Sequence, residues 1–191
     1  MRKAIALATV AALGLTGNAL AADDLSYSFI ELGYINTEID DFDVDGDGLG
    51  VRGSLAFTDM LHGFAAFSDG ELDGGIDVQQ IEVGLGLNWP ISSSVDLIGA
   101  VSYVDAKVDT PIGNFSDDGI ALTGAVRGRI AEQFELRGGL KYVEFDEGGS
   151  DTAFEVGGRY YFTEMFALGL DASFDDDGTT WILGGRFDFG R

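Results

Sequence analysis

Between positions 80 and 89 apolar and polar residues alternate without a break. Ile81, Val83, Leu85, Leu87 and Trp89 fall on one parity, Gln80, Glu82, Gly84, Gly86 and Asn88 on the other. A strand turns successive side chains to opposite faces, so this stretch predicts a strand with one apolar face. The alternation recurs and predicts ten strands, near 25–37, 48–57, 62–71, 76–89, 95–106, 118–130, 134–145, 151–162, 166–175 and 179–190. Phe57-Thr58-Asp59-Met60 and Phe162-Thr163-Glu164-Met165 are near copies, and Ile130-Ala131-Glu132-Gln133 is a weaker one. Each reads as the tight turn of one hairpin in a loose repeat.

The connections alternate in character. Those at 58–61, 90–94, 131–133 and 163–165 are short. Those at 38–47, 72–75, 107–117, 146–150 and 176–178 are more acidic and often longer. Short turns at one end and longer loops at the other suit a membrane barrel whose short turns are periplasmic. Strands near ten residues match a tilted crossing. The expected fold is all-β: a closed antiparallel transmembrane β-barrel of ten strands, or eight if two weaker hairpins fail.

Parity tests the barrel. With the apolar parity turned outward, Ile30, Leu32, Val51, Leu55, Leu85, Val101, Leu122, Val126, Leu140, Leu168 and Leu183 face lipid. The opposite parity carries Glu31, Arg52, Glu82, Asp96, Arg127, Arg129, Glu135, Arg137, Lys141, Glu155, Arg159, Asp171, Arg186 and Asp188. These are seven acids and seven bases, a balanced lumen. Outward aromatics gather at both strand ends. Phe57, Trp89, Phe134, Phe162, Phe166 and Phe189 stand by the short turns; Tyr34, Phe67, Tyr103, Tyr142, Phe174 and Trp181 stand by the loops. Two belts are what bilayer interfaces select. A soluble sandwich with its apolar face inside has no need of them. The third strand is ambiguous, because Phe64 and Phe67 have opposite parity.

The amino-terminal stretch points to export. Arg2 and Lys3 precede an apolar run at 4–15, followed by Ala19-Leu20-Ala21, a small-x-small cleavage site. Residues 1–21 read as a signal peptide and 22–191 as one barrel domain. The run is shorter than the roughly 18 residues a helical span needs. Without Arg2 and Lys3 the chain keeps 9 of its 11 bases against 33 acids, a net charge of −24. Such a surface repels nucleic acid. The absence of cysteine excludes thiol catalysis and thiolate-ligated metals.

Three motifs remain. Asp43, Asp45 and Asp47, followed by Gly48, match the first half of an EF-hand loop, but Ser54 stands where the bidentate Glu belongs. The first acidic loop is therefore read as a turn, with weak Ca²⁺ or Mg²⁺ binding as the alternative. Gly48, Gly50 and Gly53 fit G-x-G-x-x-G but open a strand instead of linking strand to helix, so they are no nucleotide site. The lone His62 borders a short turn and reads as solvated or interfacial. No nucleophile, base and oxyanion set is recognisable, so no enzyme is expected. The lumenal charges either pair and fill the barrel or line a wet pore. Balance favours pairing, since unpaired buried charges cost several kcal/mol.

Leu25-Ser26-Tyr27-Ser28-Phe29-Ile30-Glu31-Leu32-Gly33-Tyr34 and the aspartate-glycine loop resemble the opening of a quorum-factor-type small outer-membrane protein family. More broadly, the chain resembles small outer-membrane proteins with OmpA-like barrels. The last strand, 181–189, resembles a β-signal, although Gly190 and Arg191 follow Phe189 where such signals usually end. The resemblance implies a Gram-negative outer-membrane location. It implies lipid, lipopolysaccharide and the barrel assembly machinery as partners, and carries no catalytic residue. The expected role is structural or surface interaction, with a small-solute or cation channel as the alternative.

Overall fold

The computed structural model describes residues 25–39 and 44–189. The expected signal peptide at 1–21, Asp43 and the two residues after Phe189 lie outside the described residues. Ten antiparallel strands close in sequence order, β1 pairing with β2 on one side and β10 on the other. They are β1 (Phe29–Ile39), β2 (Val44–Ala56), β3 (Leu61–Leu72), β4 (Ile76–Ser92), β5 (Val95–Thr110), β6 (Gly113–Ala131), β7 (Phe134–Phe145), β8 (Gly149–Tyr161), β9 (Phe166–Phe174) and β10 (Gly178–Asp188). Ten strands, not eight, form the wall. Closure leaves no sheet edge along the crossing, so every backbone group there finds a neighbouring strand. Among the described residues no helix is long and apolar enough to cross a membrane.

The outer face is apolar. On β4 the outward residues at 81, 83, 85, 87, 89 and 91 are Ile, Val, Leu, Leu, Trp and Ile, all exposed. Ten steps of about 3.3 Å, tilted by about 40°, give a band roughly 25 Å tall. All twelve belt aromatics are exposed on this face. A continuous greasy exterior with rings at both rims is a lipid-facing wall. The chain is a transmembrane β-barrel.

We call the end where β1 starts and β10 finishes the inner end, and the opposite end the outer end. The long loops expected there are mostly strand. β1 and β2 are separated by residues 40–43 alone, and β5 and β6 meet at a two-residue turn, 111–112. The alternation persists past the aromatic belt, so the backbone continues its ladder instead of leaving it. Ile112 at that turn is 94% exposed. The turn between β3 and β4 uses Gly74 and Gly75 at φ of 90° and 74°, a left-handed region closed to most side chains.

The expected first strand also changes. Its ladder begins at Phe29, not at 25, and the four residues before it are buried inside the wall. On β3, Phe64 faces in and Phe67 out. Phe64 lies over Gly84 on β4, where an added Cβ would meet its ring. The glycines at 84 and 86 thus make room inside the barrel for bulky neighbours.

Candidate functional site

Strand alternation brings the fourteen charged residues to the lumen. Twelve of them are fully buried: Glu31, Arg52, Glu82, Asp96, Arg127, Glu135, Arg137, Lys141, Glu155, Arg159, Arg186 and Asp188. Arg129 and Asp171 are slightly more open, at 8% and 15% of side-chain exposure.

Some partners sit on neighbouring strands. Arg127 holds Glu135 with two parallel bonds of 2.7 Å from Nε and Nη2. Such a fork fixes direction as well as charge. Arg137 donates to Glu155 on β8 at 2.7 Å, and within β10 Arg186 donates to Asp188 at 2.6 Å. Arg129 stacks on Tyr161, its guanidinium 4.2 Å from the ring centroid.

Other pairs cross the barrel. Lys141 on β7 donates from Nζ to Glu82 on β4 at 2.7 Å, with β5 and β6 between them in the wall. Glu82 also accepts the Ser102 hydroxyl at 2.5 Å. Arg159 on β8 reaches Glu31 on β1 at 3.0 Å and Asp171 on β9 at 3.0 Å. Arg52 lies 3.9 Å from Glu31 on its other side. Side chains thus meet across the lumen in at least two places. A dry pair of this kind persists only when both charges are present with good geometry.

Residue types change with height. Towards the outer end the inward positions become Ile39, Leu72, Val78 and Val143, with alanine at 106 and 121, while Val104, Ala153 and Ile182 stand in register with Glu82, Lys141 and Asp171. A Thr37–Thr180 hydroxyl pair at 3.1 Å and buried Ser68 and Ser173 supply polarity there. No signal in the alternation marks this division, since both layers share one parity.

His62 is not solvated. It faces inward, fully buried, its Nδ1 3.2 Å from the Asn88 amide oxygen and its ring 5.4 Å from that of Tyr27. Any Cβ at Gly86 would collide with it. The inward parity of β3 is the cause, and Gly86 provides the space. The other feature the sequence missed is the segment at 25–28, whose Tyr27 hydroxyl donates to Asp96 at 2.8 Å.

The acidic motif takes a different form from the expected loop. Asp45 and Asp47 lie on β2, exposed and outward, opposite Glu38 and Asn36 of β1. Among the described residues no group of three or more acidic or histidine side chains is placed to hold a metal. Outward carboxylates recur above the outer aromatic belt: Asp47, Asp69, Asp77, Asp105, Asp118 and Glu144 on β2 to β7. The excess acid gathers at this end.

No protein-family model and no curated protein matches the sequence. Among solved structures, the chain is similar to the KdgM porin at 11% identity and a TM-score of 0.47, covering 84% of this chain and 99% of that one. It is similar to the NanC porin at 10% identity and 0.46, covering 85% and 100%. It also resembles Ail, the attachment invasion locus protein of Yersinia pestis, at 16% identity and 0.43, covering 85% and 97%. At TM-scores below 0.5 these likenesses carry no functional inference.

Proposed function

We propose that this protein is a non-enzymatic barrel of the Gram-negative outer membrane with a closed, charge-packed lumen, acting as an envelope or surface component. The ion pairs that bridge the lumen, Lys141 to Glu82 and Arg159 to Glu31, carry this reading. They are buried inside the barrel and join strands that are not neighbours in the wall. Separating them would leave buried charges without partners, at a cost of several kcal/mol each. The acidic outer end then faces outside the cell, and the inner end the periplasm. The partners this implies are lipid along the apolar band, lipopolysaccharide at the outer rim, and the assembly machinery at the last strand.

Planar-bilayer recording of the purified, heat-modifiable barrel tests the proposal. The expected record is silent. Steady currents at the scale of an open pore overturn the closed lumen and favour a channel.

A further inference from the structure

Residues 25–28 belong to no strand of the wall, yet Leu25, Ser26, Tyr27 and Ser28 are all buried. They lie within the inner end of the lumen, and their bonds are specific. The Ser26 carbonyl accepts from Arg127 Nη1 and from Arg186 Nη2, both at 2.9 Å. Tyr27 donates to Asp96, and the Arg127 guanidinium sits 4.6 Å from its ring centroid. The Tyr27 carbonyl accepts the Ser54 hydroxyl at 3.0 Å. Leu25 packs on Ile98 and Ala125.

We infer that residues 25–28 form an internal strap, a removable floor that shuts the inner mouth of the lumen. Three observations support it. Arg127 divides its donors between two tasks: Nε and Nη2 hold Glu135 in the wall, and Nη1 holds the strap. The ion pairs of the wall therefore stand without the strap, and what the wall gives up is one bond each at Arg127, Arg186, Asp96 and Ser54. Ser28 anchors the strap at the seam, its carbonyl accepting from Phe189 N at 2.9 Å and its hydroxyl from Ala56 N at 3.2 Å. The strand ladder starts only at Phe29. Lifting residues 25–27 about the Ser28 anchor thus breaks side-chain bonds and one small apolar contact but no strand pairing. Segments held this way open locally, ahead of the fold around them.

The strap deepens the closed-lumen reading and rests on it for its consequence. Its own test is separate, because currents report closure of the whole lumen and labelling reports the strap. The chain has no cysteine, so a single introduced thiol reports its own exposure. Ala125→Cys places one under Leu25, and Ser68→Cys places one in the outer half of the lumen. Each is reacted with a charged, water-soluble maleimide, alone and combined with Leu25→Ala and Tyr27→Ala. With the strap weakened, position 125 should label at least about tenfold faster, the change expected from losing one charge-assisted hydrogen bond. Position 68 should not change. Equal rates at 125 in folded, heat-modifiable protein overturn the strap. Faster labelling at both positions overturns it too, since the whole barrel has then loosened. Should the combined variant fail to insert, Tyr27→Phe removes only the hydrogen bond to Asp96. An unchanged rate at 125 in that variant overturns the strap equally.

Discussion

At the inner end of the lumen, Arg127, Glu135, Arg159, Glu31 and Arg186 meet in bonds of 2.6 to 4.0 Å with one another and with Asp171 and Asp188. Towards the outer end the wall turns Ile39, Leu72, Val78 and Val143 inward, with small alanines at 106 and 121. Both halves are sealed by the same wall and face the same axis. The inner half is held by charges whose removal leaves a partner stranded. The outer half is held by shape, where loss of a methylene removes only a little contact. Inwardness and chemistry are thus separate properties of a barrel strand. Parity sets the first, and height along the barrel sets the second.

Substitutions of similar size break the comparison most sharply. Arg159→Met keeps much of the volume but leaves Glu31 and Asp171 without the cation they share. It should cost about 3–5 kcal/mol, read as a lower urea midpoint for unfolding from lipid vesicles. Ile39→Leu in the outer half, where Ile39 packs on Leu72 and Val78, should cost less than about 1.5 kcal/mol. Equal losses for the two would erase the distinction between the halves. Lys107→Ala supplies the baseline. Lys107 is 54% exposed and 3.7 Å from Asp105, and its loss should stay within about 0.5 kcal/mol.

Within the inner half, Ser102→Ala removes the hydroxyl that Glu82 accepts while leaving Lys141 in place. A hydrogen bond to a charged group is worth about 1.5–3 kcal/mol, so the loss should fall below that of Arg159→Met. A loss as large would locate the stability in hydroxyls instead of ion pairs.

The smallest effect lies outside the lumen, in the turn between β9 and β10. Burial raises the Asp175 carboxyl to about 6, with the charges of Asp151 and Asp177 adding to the rise. Its oxygen accepts the amides of Asp177 and Gly178 at 3.0 and 2.9 Å, which opposes the rise. A carboxyl raised in the folded state favours folding while it is protonated, and that contribution is lost as pH climbs through about 6. Hydrogen exchange at the Gly178 amide should be better protected, after correction for intrinsic rates, at pH 5 than at pH 7.5. Asp175→Asn should flatten the difference.

The wall was legible in the sequence because a period of two leaves few choices. Once Ile81 to Trp89 face lipid, Glu82 must face in, and closure into ten strands follows from ten such segments. Phe64 was ambiguous because aromatics suit both faces, and only its glycine partner on β4 decides between them. The strap was hidden for a related reason. Leu25 and Tyr27 share an alternating pattern with β1, and nothing local says that the backbone leaves the sheet before Phe29. His62 borders a turn, yet parity, not distance from the turn, sets its burial. Asp45 and Asp47 read as a loop because aspartate and glycine favour turns, but cross-strand pairing with β1 overrode that preference.

The ion pair between Lys141 and Glu82 gives the most direct test of a filled lumen. Their strands are not neighbours, so only a side-chain bridge across the interior can couple them. A double-mutant cycle with Lys141→Met and Glu82→Gln, read by reversible urea unfolding in vesicles, should return a coupling of at least about 1 kcal/mol. A coupling indistinguishable from zero, in variants that still fold, would mean that water separates the two charges and that the lumen is open.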